Sequence, residues 1–166
     1  MTALYWTLVL IALQRLAELA WTALNTARLR RLGAVEADAG GYPLFVLLHA
    51  GWLAGLALAV PAATLPSWPL LALFVMLQLG RLWVILSLGR WWTTRILTLP
   101  GAPLVQTGPF RWVRHPNYVL VMAEFAILPL AFGAIALAAI YSALNLMLIA
   151  RRIRIEDHAL APRRGL

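Results

Sequence analysis

The chain reads as an all-α membrane protein of about five transmembrane helices, the last two forming a tight helical hairpin. Three observations predict this. Hydrophobic residues make up 63% of the chain, mean hydropathy is +0.81 and charged residues are only 12%, far from the balance of a soluble domain. Apolar runs near the roughly 20 residues that a helix needs to cross hydrocarbon recur along it. The connections between them alternate between arginine-rich and uncharged. At 166 residues, one domain over 1–166 takes up the length, because several spans leave no room for a separate soluble core. There is no cysteine, which excludes disulfides, thiolate metal sites and cysteine nucleophiles. The net charge of +8 comes from arginine alone. Those arginines flank apolar runs, so anionic head groups or an anionic ligand are better partners than nucleic acid.

The first span is placed at 3–24, kept as a span and not a signal peptide because Arg15 and Glu18 lie in its middle and it lacks a basic start. The second covers 42–60 and the third 67–88; two shorter runs, 118–132 and 134–150, meet at Gly133, and so tight a joint predicts an antiparallel hairpin. Arg28, Arg30 and Arg31 follow the first span, Arg90, Arg95, Arg111 and Arg114 lie between the third and fourth, and Arg151, Arg152, Arg154, Arg163 and Arg164 close the chain. The connections at 61–66 and Gly133 carry no charge. Basic residues in short loops stay cytoplasmic, so five spans put the amino terminus outside and the carboxyl terminus in the cytoplasm.

Ionisable groups in hydrocarbon need a partner or a wet cavity. The polar residues of the spans are Gln14, Arg15, Glu18 and Asn25 in the first, His49 in the second, Gln78 and Arg81 in the third, Glu124 in the fourth and Asn145 in the fifth. They either tie helices together by hydrogen bonds or wall a cavity. Their confinement to the cytoplasmic half favours a polar cavity opening on that side. The loop 89–117 is broken by Pro100, Gly101, Pro103, Gly108 and Pro109, so it is irregular and offers free backbone amides and arginines to an anion. Downstream, Arg152 and Glu156 are four apart and share a helix face. That face is either a surface ion pair on an amphipathic tail or part of a lid folded back over the cavity mouth, hinged at the fifth span.

Gly108-Pro109-Phe110-Arg111, Arg114-His115-Pro116-Asn117-Tyr118 and Arg152-Ile153-Arg154-Ile155-Glu156-Asp157 resemble the GPY, RHPxY and RIxxEE pattern of the isoprenylcysteine carboxyl methyltransferase family. Arg15 with Glu18 and Asn25, Gly41-Tyr42-Pro43 with His49, and Trp92-Thr93-Thr94-Arg95-Ile96 look like its small bacterial branch. Phe110 stands where the family has tyrosine, Val119-Leu120 where a glycine often follows the motif, and Asp157 where a second glutamate is usual. The resemblance implies methyl transfer from S-adenosylmethionine to an oxygen of an amphipathic substrate, in a bacterial inner membrane, without a Rossmann domain and without a metal.

Carried over by position, the resemblance assigns His115, Pro116 and Tyr118 to the cofactor, the backbone of 104–108, with Leu104, Val105 and Gly108, to its adenosine, and Glu156 to its polar end. It gives Arg114 or Arg152 the acceptor oxygen or the methionine carboxylate, and sets Glu124 or Asn145 in the inner wall of the cavity. The implied acceptor is a carboxyl, as in a prenylcysteine, or a phenolic or enolic oxygen, as in alkylpyrones and alkylresorcinols. A carboxylate is already ionised, whereas a phenol with a pKa of about 10 gains from a base such as His115 or Glu124. Other readings are methylation of a phospholipid amine, a membrane reductase of sterol type, for which this chain is short, and a non-catalytic membrane protein.

Overall fold

The computed structural model describes residues 2–164, and among them five helices carry almost all the regular structure: α1 (Ala3–Arg31), α2 (Tyr42–Ala59), α3 (Trp68–Leu88), α4 (Pro116–Ala131) and α5 (Ile135–Arg164). Four helical stretches, Ala3–Arg31, Tyr42–Ala59, Trp68–Trp91 and Ile135–Arg163, are long and apolar enough to cross a membrane. The protein is an all-α integral membrane protein. At 16 residues, α4 rises about 24 Å, less than the roughly 30 Å of hydrocarbon. It fits because it is central: Val121, Glu124, Phe125, Leu128, Pro129 and Ala131 are buried, so protein surrounds it.

Proline sets three of the helix starts, at the first or second position of α2, α3 and α4, where a missing amide proton costs nothing. Glycine sets two of the stops. Gly33 and Gly133 have φ of 89° and 70°, the left-handed conformation a side chain resists. Around each, paired bonds (Ala34 N–H to Leu29 O and Gly33 N–H to Arg30 O; Ala134 N–H to Pro129 O and Gly133 N–H to Leu130 O) close a Schellman cap. The second cap is the tight α4–α5 joint.

The core lies where the five helices meet around α4, with α3 contributing Phe74. Trp52 stacks on Phe125 with ring centroids 4.5 Å apart, beside the buried Leu4, Leu56, Leu128 and Phe132. Gly51 and Gly55 let α5 approach α2 closely, since a Cβ on Gly51 would stand 3.2 Å from the Tyr141 hydroxyl; such small residues are the usual means of close packing in lipid. The outer faces keep Leu10, Leu58, Leu86 and Ile135 exposed, as expected where the solvent is acyl chain.

Three features depart from the sequence reading. α1 runs seven residues beyond the expected end, through Arg28 to Arg31. α5 is a single helix of 30 residues, so the fifth span has no hinge and the tail does not fold back: nothing in 150–161 interrupts the backbone ladder. A two-stranded antiparallel ladder, β1 (Val35–Glu36) with β2 (Leu97–Thr98), pairs Val35 with Thr98 and Glu36 with Leu97. It joins the α1–α2 connection to the long loop after α3, which is irregular as expected, with single helical turns at Gly89–Trp91 and Gly108–Arg111.

Candidate active site

The loop after α3 is tied down on both sides. Asn25 of α1 donates its amide to the carbonyls of Gly89 (3.1 Å) and Trp92 (2.9 Å), and the Thr94 amide donates to Thr22 Oγ1 (2.7 Å). At the other end Arg163 of α5 donates to the carbonyls of Ala102 and Pro103, both at 2.9 Å. Between loop and helices lies a cavity of about 980 Å³, at the large end of the roughly 300–1,000 Å³ of ligand sites.

One end of the cavity is polar. His115, at the entry to α4, faces α5, its Nε2 3.1 Å from Asp157 Oδ1 and its Nδ1 3.8 Å from Glu156 Oε1. Its ring stacks on Tyr118, centroids 5.4 Å apart. The Tyr118 hydroxyl donates to Glu156 Oε2 and accepts from Arg152 Nε at 2.8 Å. Arg152 also donates through Nη2 to the Thr94 carbonyl at 2.5 Å and lies 5.1 Å over the Phe45 ring. Its Nη1 takes no hydrogen bond among the described residues. The guanidinium is thus fixed in place with one edge open to the cavity.

The other end is set in the membrane. Ala12, Leu16 and Leu19 of α1 face Val46, Ala50 and Leu53 of α2, an apolar cleft between two helices. Its floor is a charged cluster: Arg81 donates to Glu18 through Nε (2.7 Å) and Nη2 (2.5 Å) and through Nη1 to Asn117 (3.0 Å), and Arg15 bridges Glu18 (3.1 Å) and Glu124 (2.5 Å). Gln78 donates to Glu124 at 3.1 Å. Two arginines against two carboxylates leave no net charge, the condition under which buried ions persist.

Of the residues singled out from sequence, Leu104, Val105, Arg114, His115, Pro116, Tyr118, Arg152 and Glu156 all line this cavity. Arg114 sits exposed at its rim. Three of the residues assigned to the site through the family resemblance do not line it. Glu124 is fully buried and turned toward α1 and α3 by Arg15 and Gln78, so it lies beneath the cavity floor and is not part of the wall. Asn145 is fully buried as well, its side-chain atoms without a partner among the described residues. Gly108 stands behind the lining, where a Cβ would come within 2.2 Å of Ser87 Oγ. Sequence reasoning missed Phe45, Thr94 and Arg163. Phe45 was within reach, because Tyr42, Phe45 and His49 share one helix face.

Outside the cavity the ladder is braced by charge. Burial alone would raise the Glu36 carboxyl, but hydrogen bonds from Arg95 (2.7 Å) and Arg30 (2.5 Å), and their charges, outweigh it and hold the group below the usual range. The hydrogen bonds from Arg151, at 2.7 and 2.9 Å, lower the Asp38 carboxyl against a smaller effect of burial. No group of three or more metal-ligating side chains occurs among the described residues.

The family model for the isoprenylcysteine carboxyl methyltransferase (ICMT) family matches residues 70–162, which carry α3, the loop, α4 and most of α5. YpbQ of Bacillus subtilis (strain 168), itself described as uncharacterized, is 35% identical over 162 residues, covering 95% of this chain and 96% of YpbQ. No solved structure matches. Fold, cavity and motif residues therefore converge, and the chain belongs to the isoprenylcysteine carboxyl methyltransferase family of membrane methyltransferases.

Proposed function

We propose that the protein uses S-adenosylmethionine to methylate an oxygen of an amphipathic, lipid-like acceptor, with the reaction on the cytoplasmic side of a bacterial inner membrane. The observation that carries this reading is a single cavity with a polar end among His115, Tyr118, Arg152 and Glu156 and an apolar end between α1 and α2. A soluble cofactor and a greasy acceptor need two such environments side by side.

The donor set fits the cofactor. The stacked His115 and Tyr118 rings offer aromatic faces to a cation. Glu156 suits hydroxyl or ammonium donors, and the open edge of Arg152, with Arg114 at the rim, suits a carboxylate. Trp92 lines the cavity with its indole Nε1 buried and unpartnered among the described residues, a donor awaiting an acceptor. The bound cofactor supplies an activated methyl on sulfonium. What remains for the protein is alignment and exclusion of water, the contribution of proximity. Arg152 is held by Tyr118 and Thr94 so that its free edge orients an oxygen. Arg163 pins 102–103 to α5 and so holds that end of the loop beside the site.

The purified protein is expected to bind S-adenosylmethionine saturably in calorimetry, and His115→Ala to weaken it about tenfold, or about 1.4 kcal/mol, while staying folded in detergent. Mass spectrometry of membrane lipids with and without the protein should show a species heavier by one methyl group. Absence of saturable binding removes the reading.

A further inference from the structure

The membrane-set half of the cavity holds a histidine whose second ring nitrogen takes no hydrogen bond among the described residues. His49 lies seven residues along α2 from Tyr42, about 10 Å at helical rise. Its Nδ1 is 2.8 Å from the Phe45 carbonyl oxygen. A carbonyl only accepts, so the proton is on Nδ1 and Nε2 carries the lone pair. The ring edge rests on Phe125, centroids 4.9 Å apart at 87°, which holds it in one orientation. Nε2 takes no hydrogen bond among the described residues, and His49 lines the cavity. Phe45, whose carbonyl fixes the tautomer, is the residue whose ring lies beneath Arg152, so base and guanidinium are one helical turn apart in their supports.

The other groups able to take a proton there are engaged. Glu18 and Glu124 are held by Arg15, Arg81 and Gln78, His115 Nε2 faces Asp157, and Tyr118 is shared by Arg152 and Glu156. The charged groups acting on His49 are Arg15 and Glu18 of α1 and Arg81 of α3. They belong to the neutral cluster of the floor.

Resting on the methyl-transfer reading above, we propose that His49 Nε2 is the general base of the reaction, and that the acceptor therefore arrives as a neutral O–H, a phenol or enol on an alkyl chain, and not as a carboxylate. The acceptor proton passes to Nε2 as the oxygen–methyl bond forms; the methyl–sulfur bond breaks with its electron pair left on sulfur, and the imidazolium then releases its proton to water. A phenol is a far weaker acid than an imidazolium, so it does not ionise fully before the methyl moves and the two transfers are concerted. A carboxylate, near pKa 4, has no proton to give.

The test uses full-length protein in nanodiscs with S-adenosylmethionine and three acceptors: a long-chain alkylresorcinol, a long-chain alkylnitrophenol that ionises unaided near neutral pH, and a farnesylated cysteine. His49→Asn should lower kcat on the alkylresorcinol about 100-fold or more, keep cofactor affinity within about twofold of wild type, and spare the alkylnitrophenol. Its rate on the alkylresorcinol should climb with pH toward the phenol's own pKa. Without cofactor, the phenolate absorbance of bound alkylnitrophenol should persist to about one pH unit lower in wild type than in the variant. Unchanged kcat on the alkylresorcinol, equal losses on both phenols, or a wild-type preference for the farnesylated cysteine overturns the role of His49. Wild type that binds no S-adenosylmethionine overturns methyl transfer itself, a separate and recognisable failure.

Discussion

At the scale of single residues, the side chains divide by the kind of damage their loss does. Glu18 is nearly buried and accepts from both Arg81 and Arg15. Glu18→Ala leaves the Arg81 charge inside the protein without its counter-ion, at a cost of about 3–5 kcal/mol. The thermal midpoint in detergent should fall sharply, and the charge-balanced double variant Glu18→Met with Arg81→Met should recover most of the loss. A single variant as stable as wild type would falsify the floor as a structural unit. The polar residues of the spans were legible as a cluster toward one end of the bundle because hydropathy and helical rise report depth. Azimuth was not legible: Glu124 meets Arg15 across 109 residues of sequence, and no local spacing says that a carboxylate turns to a distant helix instead of a cavity. The motif residues His115, Tyr118, Arg152 and Glu156 were legible because two short segments carry them, at the entry to one helix and along one face of another.

Among elements, the β1–β2 ladder and the connection after it are the part most dependent on solution conditions. Asp38 joins this connection to α5 through Arg151 and accepts from the Gly41 amide at 3.1 Å. Its carboxyl is depressed in the folded protein, so the stabilisation is fully present above the unfolded value near 3.9 and is lost as pH falls through the lower folded value. Thermal midpoints recorded from neutral to strongly acid pH should show wild type above Asp38→Asn at neutral pH, with the gap closing at the acid end. A gap independent of pH would mean that the ion pair is not its source. Strands of two residues leave no periodicity to read, which is why this ladder went unforeseen. Helix ends failed in the opposite direction: the runs of arginine ending α1 and α5 interrupt hydropathy while favouring the carboxyl-terminal turns of helices, so the helices outlast the apolar stretches that announce them.

For the whole molecule, the alternation of basic and uncharged connections predicts which side each faces, and the absence of cysteine makes this direct to check. Thr64→Cys should react with a membrane-impermeant maleimide in intact cells, and Arg111→Cys only after permeabilisation. The reverse pattern inverts the orientation and moves the cavity mouth to the other compartment. The number of spans rests on α4, which composition placed correctly as a short partner of α5.

The unbroken α5 has a mechanical consequence. Thirty residues make a rod of about 45 Å in hydrocarbon of about 30 Å, and Arg152 stands about 26 Å along it, near the level where lipid gives way to water. With no joint to absorb strain, any tilt imposed by bilayer thickness is carried straight to Arg152 and Glu156, coupling the register of the polar end of the cavity to the acyl-chain length of the host membrane.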